Sequence, residues 1–543
     1  MGTVTRGTVG QDRTAVYRLP VGKIGEGVGM AVKTFAAIDV GSYELAMKIF
    51  EFSAKNGMRE IDHIRHRIEL GTDTYLTGKI SHERVDELCL ILNEFAVTMK
   101  SYKVDSYKAY GTSAIRETEN TMIVIEQIKL RTGLKVEVLS NSEQRFLHYK
   151  AVASRGGKFD EVIKKGCAIV DVGGGSIQIS LFDKERLVTT QNVRLGILRM
   201  RDMLVDLKLR TNNYEQLLEE LIDNQLGSFK RLYLKGRDIQ NIIIVDDYIS
   251  YIMQKIGGEQ DTITAGQFSA FESILYTKTP EQIAKSLGMA EESASLLPPS
   301  ASLIKRILKL TKAELLWAPG VSLSDGIAYE YGEKERLIRS SHDFENDILA
   351  CAGNMSKRYM GNVDRNRIVE KVAVELFDGT KKIHGMGRRE RLLIRIAALL
   401  GDCGKYMSLE EGAECSYSII MATEMIGLSH AEREIVANVV KFNKARFEYF
   451  EELASSALVE RENYLKIAKL TALFRVADGI CRSYRTKVQG IKLQQKPGEL
   501  IITVDTAEDI TLEQGFFARK AAFFEEVFSI QPILKYKKKL STI

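Results

Sequence analysis

The sequence predicts an α/β fold for the first half of the chain, followed by an all-α region and a small α+β end. An apolar run that ends in Asp-Val-Gly occurs twice, as FAAIDVGS at residues 35–42 and as CAIVDVGGGS at 167–176. Each run continues into a second apolar stretch, which is typical of two strands joined by a tight turn. After about residue 343 the apolar residues recur with helical periodicity.

The duplicated pattern resembles the actin/Hsp70/sugar-kinase superfamily, in which two ribonuclease-H-like lobes each present one phosphate loop. The resemblance implies lobe I over residues 34–160 and lobe II over 161–335. The helical pattern favours a further domain over 340–485, and the last strands and helix favour a small α+β domain over 486–543. Residues 1–33 lack a continuous apolar segment, so we expect a disordered tail, or translated sequence upstream of the true start.

The apolar periodicity of lobe I predicts strands and helices in the order expected of such a lobe. They are strands 35–40, 45–53 and 60–70, helix 81–100, strand 106–110, helix 121–132, strand 135–139 and helix 142–153. Lobe II begins with the second hairpin and continues with an amphipathic stretch near 213–236 and a strand at 241–245. A helix from Thr279 follows, with Pro280 at its first position, and then a helix over 302–310.

The apolar pattern of the all-α region predicts a series of amphipathic helices. They cover 343–358, 363–377, 389–402, 408–426, 430–444 and 461–482. Capping boxes begin at Ser408 and Ser429, and Gly427 indicates a helix end. The last part predicts strands 488–493 and 499–504, a helix over 515–528, and a basic, solvated end.

Composition excludes several classes of protein. The longest apolar runs fall short of the roughly 18–20 residues of a membrane span. The net charge is +5, from 77 basic and 72 acidic residues, which indicates a mixed surface rather than a nucleic-acid-binding stripe. Six cysteines without a C-x-x-C pair fit a reducing compartment. We therefore expect a cytoplasmic protein that binds neither nucleic acid nor membrane.

Both Asp-Val-Gly turns have the residues that hold phosphate. Glycine lets the backbone approach an anion without a Cβ in the way, and clustered amides form an anion-binding nest. The predicted phosphate-binding residues of the two turns are Gly41, Ser42, Gly173, Gly174, Gly175 and Ser176. Asp39 and Asp171 end the preceding strands, where a carboxylate would hold a divalent cation beside the phosphates. As an alternative, the serines are simple turn formers.

Further segments resemble the Ppx/GppA phosphatase family of exopolyphosphatases and guanosine pentaphosphate phosphohydrolases. GTSAIRETEN at 111–120 is similar to the family's Thr-Ser-Ala-x-Arg-Glu-x-x-Asn segment. LSNSEQR at 139–145 is similar to its Glu-x-Arg catalytic segment, and DVGGGS at 171–176 to its second phosphate loop. LFRVADG at 473–479 resembles its HD-like helical domain. The match runs from about residue 35 to 530.

The resemblance implies named roles in phosphoanhydride hydrolysis. Glu143 would be the base that activates water, and Arg116 and Arg145 would neutralise phosphoryl oxygens. Thr112 and Ser113 would add phosphate contacts, and Mg²⁺ would be the cofactor, held by the two aspartates. The structural alternatives are that Glu143 is a favourable acid at a helix start and that the arginines form surface ion pairs.

Two positions depart from the family pattern. A loop shorter by one residue keeps Glu143 and Arg145 in the family positions, whereas an ungapped alignment puts Gln144 and Phe146 there. Gln178 stands where the family has a second carboxylate, and an amide takes no proton and is a poorer magnesium ligand.

Other departures concern nucleotide binding and the HD-like domain. Asp246 and Asp247 replace a Gly-Gly pair, which disfavours a kinase that holds a nucleotide there. Where an HD-like domain would have its metal ligands, this chain has Arg367, Gly401-Asp402 and residues 414–416, and none of these is histidine. We therefore expect this domain to bind no catalytic metal and to serve dimer contacts or a wall of a polyphosphate channel.

Two hypotheses follow. The first is a magnesium-dependent hydrolase that releases orthophosphate from inorganic polyphosphate or guanosine pentaphosphate. The second is a catalytically weakened regulator that binds the same ligands. Either would form a homodimer.

Overall fold

The structure is a computed structural model. It describes residues 32–55, 57–208, 213–246, 249–250, 252–253, 261–340, 342–456, 460–483 and 487–538. Almost all of the expected tail over residues 1–33 lies outside the described residues, as does Asp247. None of the helices within these ranges is both long and apolar enough to cross a membrane.

Lobe I is one mixed sheet covered by helices. Its elements are β1 (Lys33–Val40), β2 (Glu44–Ser53), β3 (Gly57–Arg67), α1 (Leu70–Thr77), α2 (His82–Ser101), β4 (Ser106–Gly111), α3 (Ser113–Glu117), α4 (Thr121–Thr132), β5 (Val136–Val138), α5 (Asn141–Ala153) and α6 (Gly157–Lys164). The strand order is β3-β2-β1-β4-β5, with β1 antiparallel to β2 and parallel to β4. The predicted strands and long helices are confirmed, while the short helices α1, α3 and α6 were not predicted.

Lobe II repeats this arrangement. Its elements are β6 (Cys167–Val172), β7 (Ile177–Asp183), β8 (Arg186–Val193), α7 (Ile197–Lys208), α8 (Tyr214–Phe229) with a π-helical turn (Lys230–Leu234), β9 (Asn241–Val245), β10 (Thr262–Thr264), α9 (Ala265–Leu275), α10 (Pro280–Leu287), α11 (Glu291–Ser295), α12 (Leu297–Thr311), β11 (Leu315–Trp317) and α13 (Leu323–Lys334). The order is β10-β11-β9-β6-β7-β8. Strands β8-β7-β6-β9-β11 match β3-β2-β1-β4-β5 in order and direction, which confirms the predicted duplication.

The remaining chain is helical and ends in a small sheet. Its elements are α14 (Phe344–Arg358), α15 (Val363–Gly379), α16 (Lys381–His384), α17 (Arg388–Leu400), a 3₁₀ turn (Cys403–Tyr406), α18 (Gly412–Ala422), α19 (His430–Phe442), α20 (Phe450–Ser456), α21 (Arg461–Ile480), β12 (Gly490–Lys496), β13 (Glu499–Thr506), α22 (Thr511–Phe528) and β14 (Gln531–Lys538). Phe517 and Phe524 of α22 share one buried core with Leu473 and Phe474 of α21.

Two expectations for this region need correction. The fourth predicted helix, 408–426, is shorter: α18 begins at Gly412 and ends at Ala422. Ser408 still accepts a hydrogen bond from the Glu411 amide, at 3.0 Å, but outside the helix. The basic end forms β14, an unpredicted strand that pairs in parallel with β13. The capping box at Ser429 and Glu432 is confirmed.

In the helical region, cations hold two buried carboxylates, Asp402 and Asp478. Arg365 Nη2 lies 2.5 Å from Asp478 Oδ1, and Lys520 Nζ lies 3.2 Å from Asp478 Oδ2. Lys444 Nζ lies 3.4 Å from Asp402 Oδ1. Burial alone would raise the pKa of Asp478, but Lys520 and Arg365 lower it to about 2.

The ion pairs of Asp478 with Arg365 and Lys520 predict that the stability of the protein depends on pH. The folded-state pKa of Asp478 is below that of the unfolded chain, so its contribution is complete above about pH 4 and is lost as the pH falls towards 2. We expect a loss of about 2 kcal/mol from this group over that interval. The measurement is urea unfolding of the wild type and Asp478→Asn at pH 5 and pH 2. The difference in free energy of unfolding between the wild type and Asp478→Asn should be smaller by that amount at pH 2 than at pH 5. An equal difference at both pH values would contradict the stabilising role of the Asp478 ion pairs.

Candidate active site between the two lobes

The turns of the two hairpins line one cavity between the lobes. Its volume is about 180 Å³. Residues of both predicted phosphate loops and of the neighbouring strand ends line it: Asp39, Gly41, Ser42, Thr112, Ser113, Asp171, Gly173 and Gly174. The structure therefore brings together most of the residues that the sequence singled out.

The first loop follows β1 and is fixed against α3. The Gly41 amide donates to the Glu44 carbonyl at 3.1 Å, and a Cβ at Gly41 would lie 2.7 Å from that oxygen, so the turn requires glycine. Ser42 Oγ is hydrogen-bonded to Ser113 Oγ at 2.7 Å and accepts from the Ala114 amide at 3.2 Å. Two hydroxyl groups are thus held side by side at the cavity wall.

The second loop follows β6 and packs on α7. The Gly173 amide donates to the Ser176 carbonyl at 3.0 Å, and the Leu198 amide donates to the Gly174 carbonyl at 3.0 Å. Gly175 and Ser176 do not line the cavity. The Gly175 carbonyl instead accepts from Arg199 Nε at 3.1 Å.

Tyr75 of lobe I connects the two loops. Its hydroxyl is hydrogen-bonded to Ser42 Oγ at 2.9 Å and to Ser113 Oγ at 3.0 Å. The Arg199 guanidinium of lobe II lies 4.5 Å from the centre of the Tyr75 ring and is paired with Glu117 of lobe I at 2.9 Å. We call this contact the Tyr75 clasp.

The structure places the Glu143 side chain outside the loop cavity. Its carboxylate accepts from the Ser140 amide at 3.0 Å and from Ser140 Oγ at 2.6 Å, and so forms the capping box of α5. The side chain lines a different cavity, between lobe I and the helical region. The next residue, Gln144, lines the loop cavity instead. Gln144 thus faces the loops, as the ungapped alignment would have it, and Glu143 lies in the first turn of α5. The catalytic role of Glu143 stays a prediction.

The rotation of α5 is fixed by its packing on α13. A Cβ at Gly326 would lie 2.0 Å from the Leu147 carbonyl, so the two helices touch at backbone distance. Gln144 and His148 are four residues apart and therefore share one face of the helix. Both line the loop cavity.

His148 and Asp171 form a buried pair that the sequence analysis missed. His148 Nδ1 lies 2.6 Å from Asp171 Oδ2, and each residue is 7% exposed. A carboxylate only accepts hydrogen bonds, so Nδ1 carries the hydrogen and Nε2 is the nitrogen that can accept a proton. The sequence signal was available: His148 follows Gln144 by one helical turn.

The structure places Arg116 and Arg145 beside the cavity and not in its wall. Arg145 is 3% exposed; its Nε donates to Gln178 Oε1 at 3.3 Å and its Nη2 lies 2.5 Å from Glu424 Oε2. Arg116 Nη1 donates to the Leu139 carbonyl at 2.7 Å and to Gln144 Oε1 at 3.3 Å.

Glu424 is a second residue that the sequence analysis missed. It follows the end of α18, within the stretch that was predicted as helix. Burial raises the pKa of its carboxyl, but Arg145 holds that pKa below its usual range. Asn141 Nδ2 also donates to Glu424 Oε1, at 2.9 Å. The helical region thereby reaches the edge of the candidate active site.

Comparison with known proteins agrees with this architecture. The profile of the Ppx/GppA phosphatase family matches residues 49–335, and that of Ppx/GppA phosphatase domain III matches residues 350–520. A guanosine-5′-triphosphate,3′-diphosphate pyrophosphatase of Vibrio vulnificus is 19% identical over 413 residues, which cover 75% of this chain and 80% of the relative. The protein of the same name from Photobacterium profundum is 20% identical over 488 residues, covering 87% and 92%.

The Ppx/GppA family member of Aquifex aeolicus gives a TM-score of 0.48 at 20% identity and covers 58% of this chain and 100% of that one. An exopolyphosphatase of Cytophaga hutchinsonii gives a TM-score of 0.48 at 19% identity and covers 56% and 98%. The family profile spans more than half of the chain. The chain therefore belongs to the Ppx/GppA phosphatase family.

Proposed function

We propose that this protein is a phosphoanhydride hydrolase that releases orthophosphate from the end of inorganic polyphosphate or of guanosine pentaphosphate. The observation that carries the proposal is the cavity lined by both loops. The backbone amide of Gly174 and the hydroxyls of Ser42 and Ser113 suit phosphoryl oxygens. A homodimer, an HD-like helical domain and a cytoplasmic location belong to the same proposal.

Magnesium fits the donor chemistry of this cavity. Mg²⁺ prefers oxygen ligands and binds through one or two carboxylates, with substrate phosphates and water completing its shell. Asp39 and Asp171 both line the cavity. We assign the metal to Asp39, and the orientation of His148 to Asp171, whose carboxylate lies 2.6 Å from His148 Nδ1. The ion, when bound, would neutralise phosphate charge.

The proposal assigns the water-activating base to His148. Gln144, which lines the cavity, carries an amide and takes no proton. The Asp171 carboxylate fixes the tautomer of the His148 ring, and this leaves Nε2 as the proton acceptor. A water molecule between Nε2 and the terminal phosphorus would lose a proton to the imidazole as its oxygen bonds to phosphorus. The anhydride bond from that phosphorus to the bridging oxygen would break, and its electron pair would leave with the shortened phosphate chain, so that orthophosphate is released.

Phosphate release from medium-chain polyphosphate and from guanosine pentaphosphate tests the proposal. We expect the wild type to release orthophosphate with Mg²⁺. Glu143→Gln should change the rate by less than about twofold, since glutamine also completes a capping box and the side chain faces away from the loops. Loss of activity in Glu143→Gln would indicate that Glu143, and not His148, is the base. If the wild type released phosphate from neither substrate, the proposed hydrolase function would be rejected.

The second candidate function is a binding protein that regulates by holding the same ligands. Gln144 in the cavity and Gln178 opposite Asp171 favour it, because neither amide can serve as an acid or base. The same assay separates the two functions. Binding of polyphosphate without phosphate release would support the regulator.

A further inference from the structure

A further cavity lies in lobe II, where α8 with its π-helical turn and α12 both end. Its volume is about 470 Å³, which is within the range of small-molecule sites. Strand β9 separates it from the loop cavity, since Ile239 before the strand lines the one and Val245 at its end lines the other. The two cavities share no residue. We call the one in lobe II the basic cavity.

The charge of the basic cavity is of one sign. Five cationic side chains line it, those of Lys230, Arg231, Lys235, Arg237 and Lys312. The described residues of its lining include no aspartate or glutamate, and none of the five forms an ion pair within the described part of the chain. The macrodipoles of α8 and α12 favour cations at these helix ends, but each offsets only about half an elementary charge. Most of the positive charge is therefore unmatched.

The buried part of the lining is apolar. Ile239 is 1% exposed and Leu234 is 9% exposed, and both belong to the core of lobe II. The cations are more exposed, and one of them is held in place: Arg237 Nη1 donates to the Tyr233 carbonyl at 2.7 Å. A ligand that matches this lining has an apolar body and a negatively charged head group.

Two residues of the lining are the reverse of what the local backbone favours. Gly227 lies inside α8, where glycine weakens a helix, although a Cβ there would meet no atom within 4 Å. Lys312 follows α12 in the left-handed conformation, at φ +60°, where helices usually end with glycine. Packing requires neither residue. Both choices have the same effect, which is to keep the cavity open and basic.

We propose that the basic cavity binds a small organic anion that carries at least two negative charges on an apolar body. The negative charges lie among the five cations, and the apolar body lies against Leu234 and Ile239. Two carboxylates or one phosphate monoester would supply the charge. The inference goes beyond the proposed function and does not depend on it, because the basic cavity is separate from the loop cavity.

Titration calorimetry with four probes tests this inference. Octylsuccinate and octyl phosphate combine the charge with an apolar chain, whereas succinate has the charge alone and octyl glucoside has the chain alone. All are used below the concentration at which they form micelles. We expect the wild type to bind at least one of the two octyl anions, and at least about tenfold more tightly than succinate or octyl glucoside. The tighter of the two octyl anions identifies the head group.

Two variants locate the binding without weakening the fold. Lys312→Gly removes a charge at a position whose backbone suits glycine, and Gly227→Glu puts a carboxylate at the cavity and a better helix former into α8. Neither variant should unfold at a lower temperature than the wild type. We expect Lys312→Gly to raise Kd for the octyl anion about fivefold and Gly227→Glu at least about tenfold.

The matched controls make the same changes elsewhere. Lys103→Gly alters another lysine in the left-handed conformation, after α2, and Gly515→Glu alters another open glycine, inside α22. Neither residue lines the basic cavity. Both control variants should bind the octyl anion as the wild type does.

Three results would overturn the inference. The first is that the wild type binds neither octyl anion. The second is wild-type affinity in both Lys312→Gly and Gly227→Glu, since the anion would then bind elsewhere. The third is equal affinity for succinate and octylsuccinate, which would leave the apolar residues without a role. Phosphate release is measured separately, so each of these results would leave the proposed function standing.

Discussion

Asp171→Asn is expected to slow phosphate release by about 10²–10⁴-fold. The asparagine amide would donate a hydrogen to His148 Nδ1, where the carboxylate now accepts one. The imidazole would then carry its hydrogen on Nε2, the nitrogen that has to take a proton from water. The change removes the base while preserving the size of the side chain.

Steady-state kinetics over a range of Mg²⁺ concentrations measures this effect. We expect kcat to fall and the Mg²⁺ requirement to stay the same, and His148→Gln to show a loss of similar size. A raised Mg²⁺ requirement in Asp171→Asn with normal kcat at saturation would instead assign Asp171 to the metal. Full activity in both Asp171→Asn and His148→Gln would reject His148 as the base. Glu143→Gln serves as the control, since Glu143 lies on α5, the helix that carries His148, but does not line the loop cavity.

Glu424→Gln is expected to lower the free energy of unfolding by about 3 kcal/mol. The substitution leaves Arg145, which is 3% exposed, without its anion, and an unpaired buried charge is costly. We place the effect at the lower end for a broken buried pair because Glu424 is 28% exposed. Urea unfolding would measure it, with Glu452→Gln as the control.

The control removes a carboxylate from an exposed pair, that of Arg446 and Glu452, which should change stability by no more than about 1 kcal/mol. Equal unfolding midpoints of Glu424→Gln and the wild type would contradict the buried pair.

Much of the fold was predictable because its signals are local. Apolar runs at period two and amphipathic stretches at period 3.6 depend on near neighbours in the chain. The helix over 121–132 and the strand over 241–245 were predicted with the bounds that the structure has. The duplicated Asp-Val-Gly hairpin gave the two sheets, since each hairpin supplies the first two strands of its lobe.

The candidate site was less predictable because it depends on how a helix is rotated about its axis and on contacts between residues that are far apart in the sequence. One residue along a helix turns the side chain by about 100°, so a one-residue gap decides whether Glu143 or Gln144 faces the loops. The pattern Ser140-x-x-Glu143 is a capping-box signature and would have assigned the glutamate. Glu424, by contrast, meets Arg145 across 279 residues of chain, and no local pattern reveals such a pair.

The Tyr75 clasp has a kinetic consequence. It joins the lobes through a stacked cation and an ion pair, beside hydroxyls that face the cavity. A hinge motion that widened the cleft would have to separate Arg199 from both Tyr75 and Glu117. A ligand that left by such a motion would cross a barrier to which both contacts contribute, so its residence time in the cleft would depend on their strength.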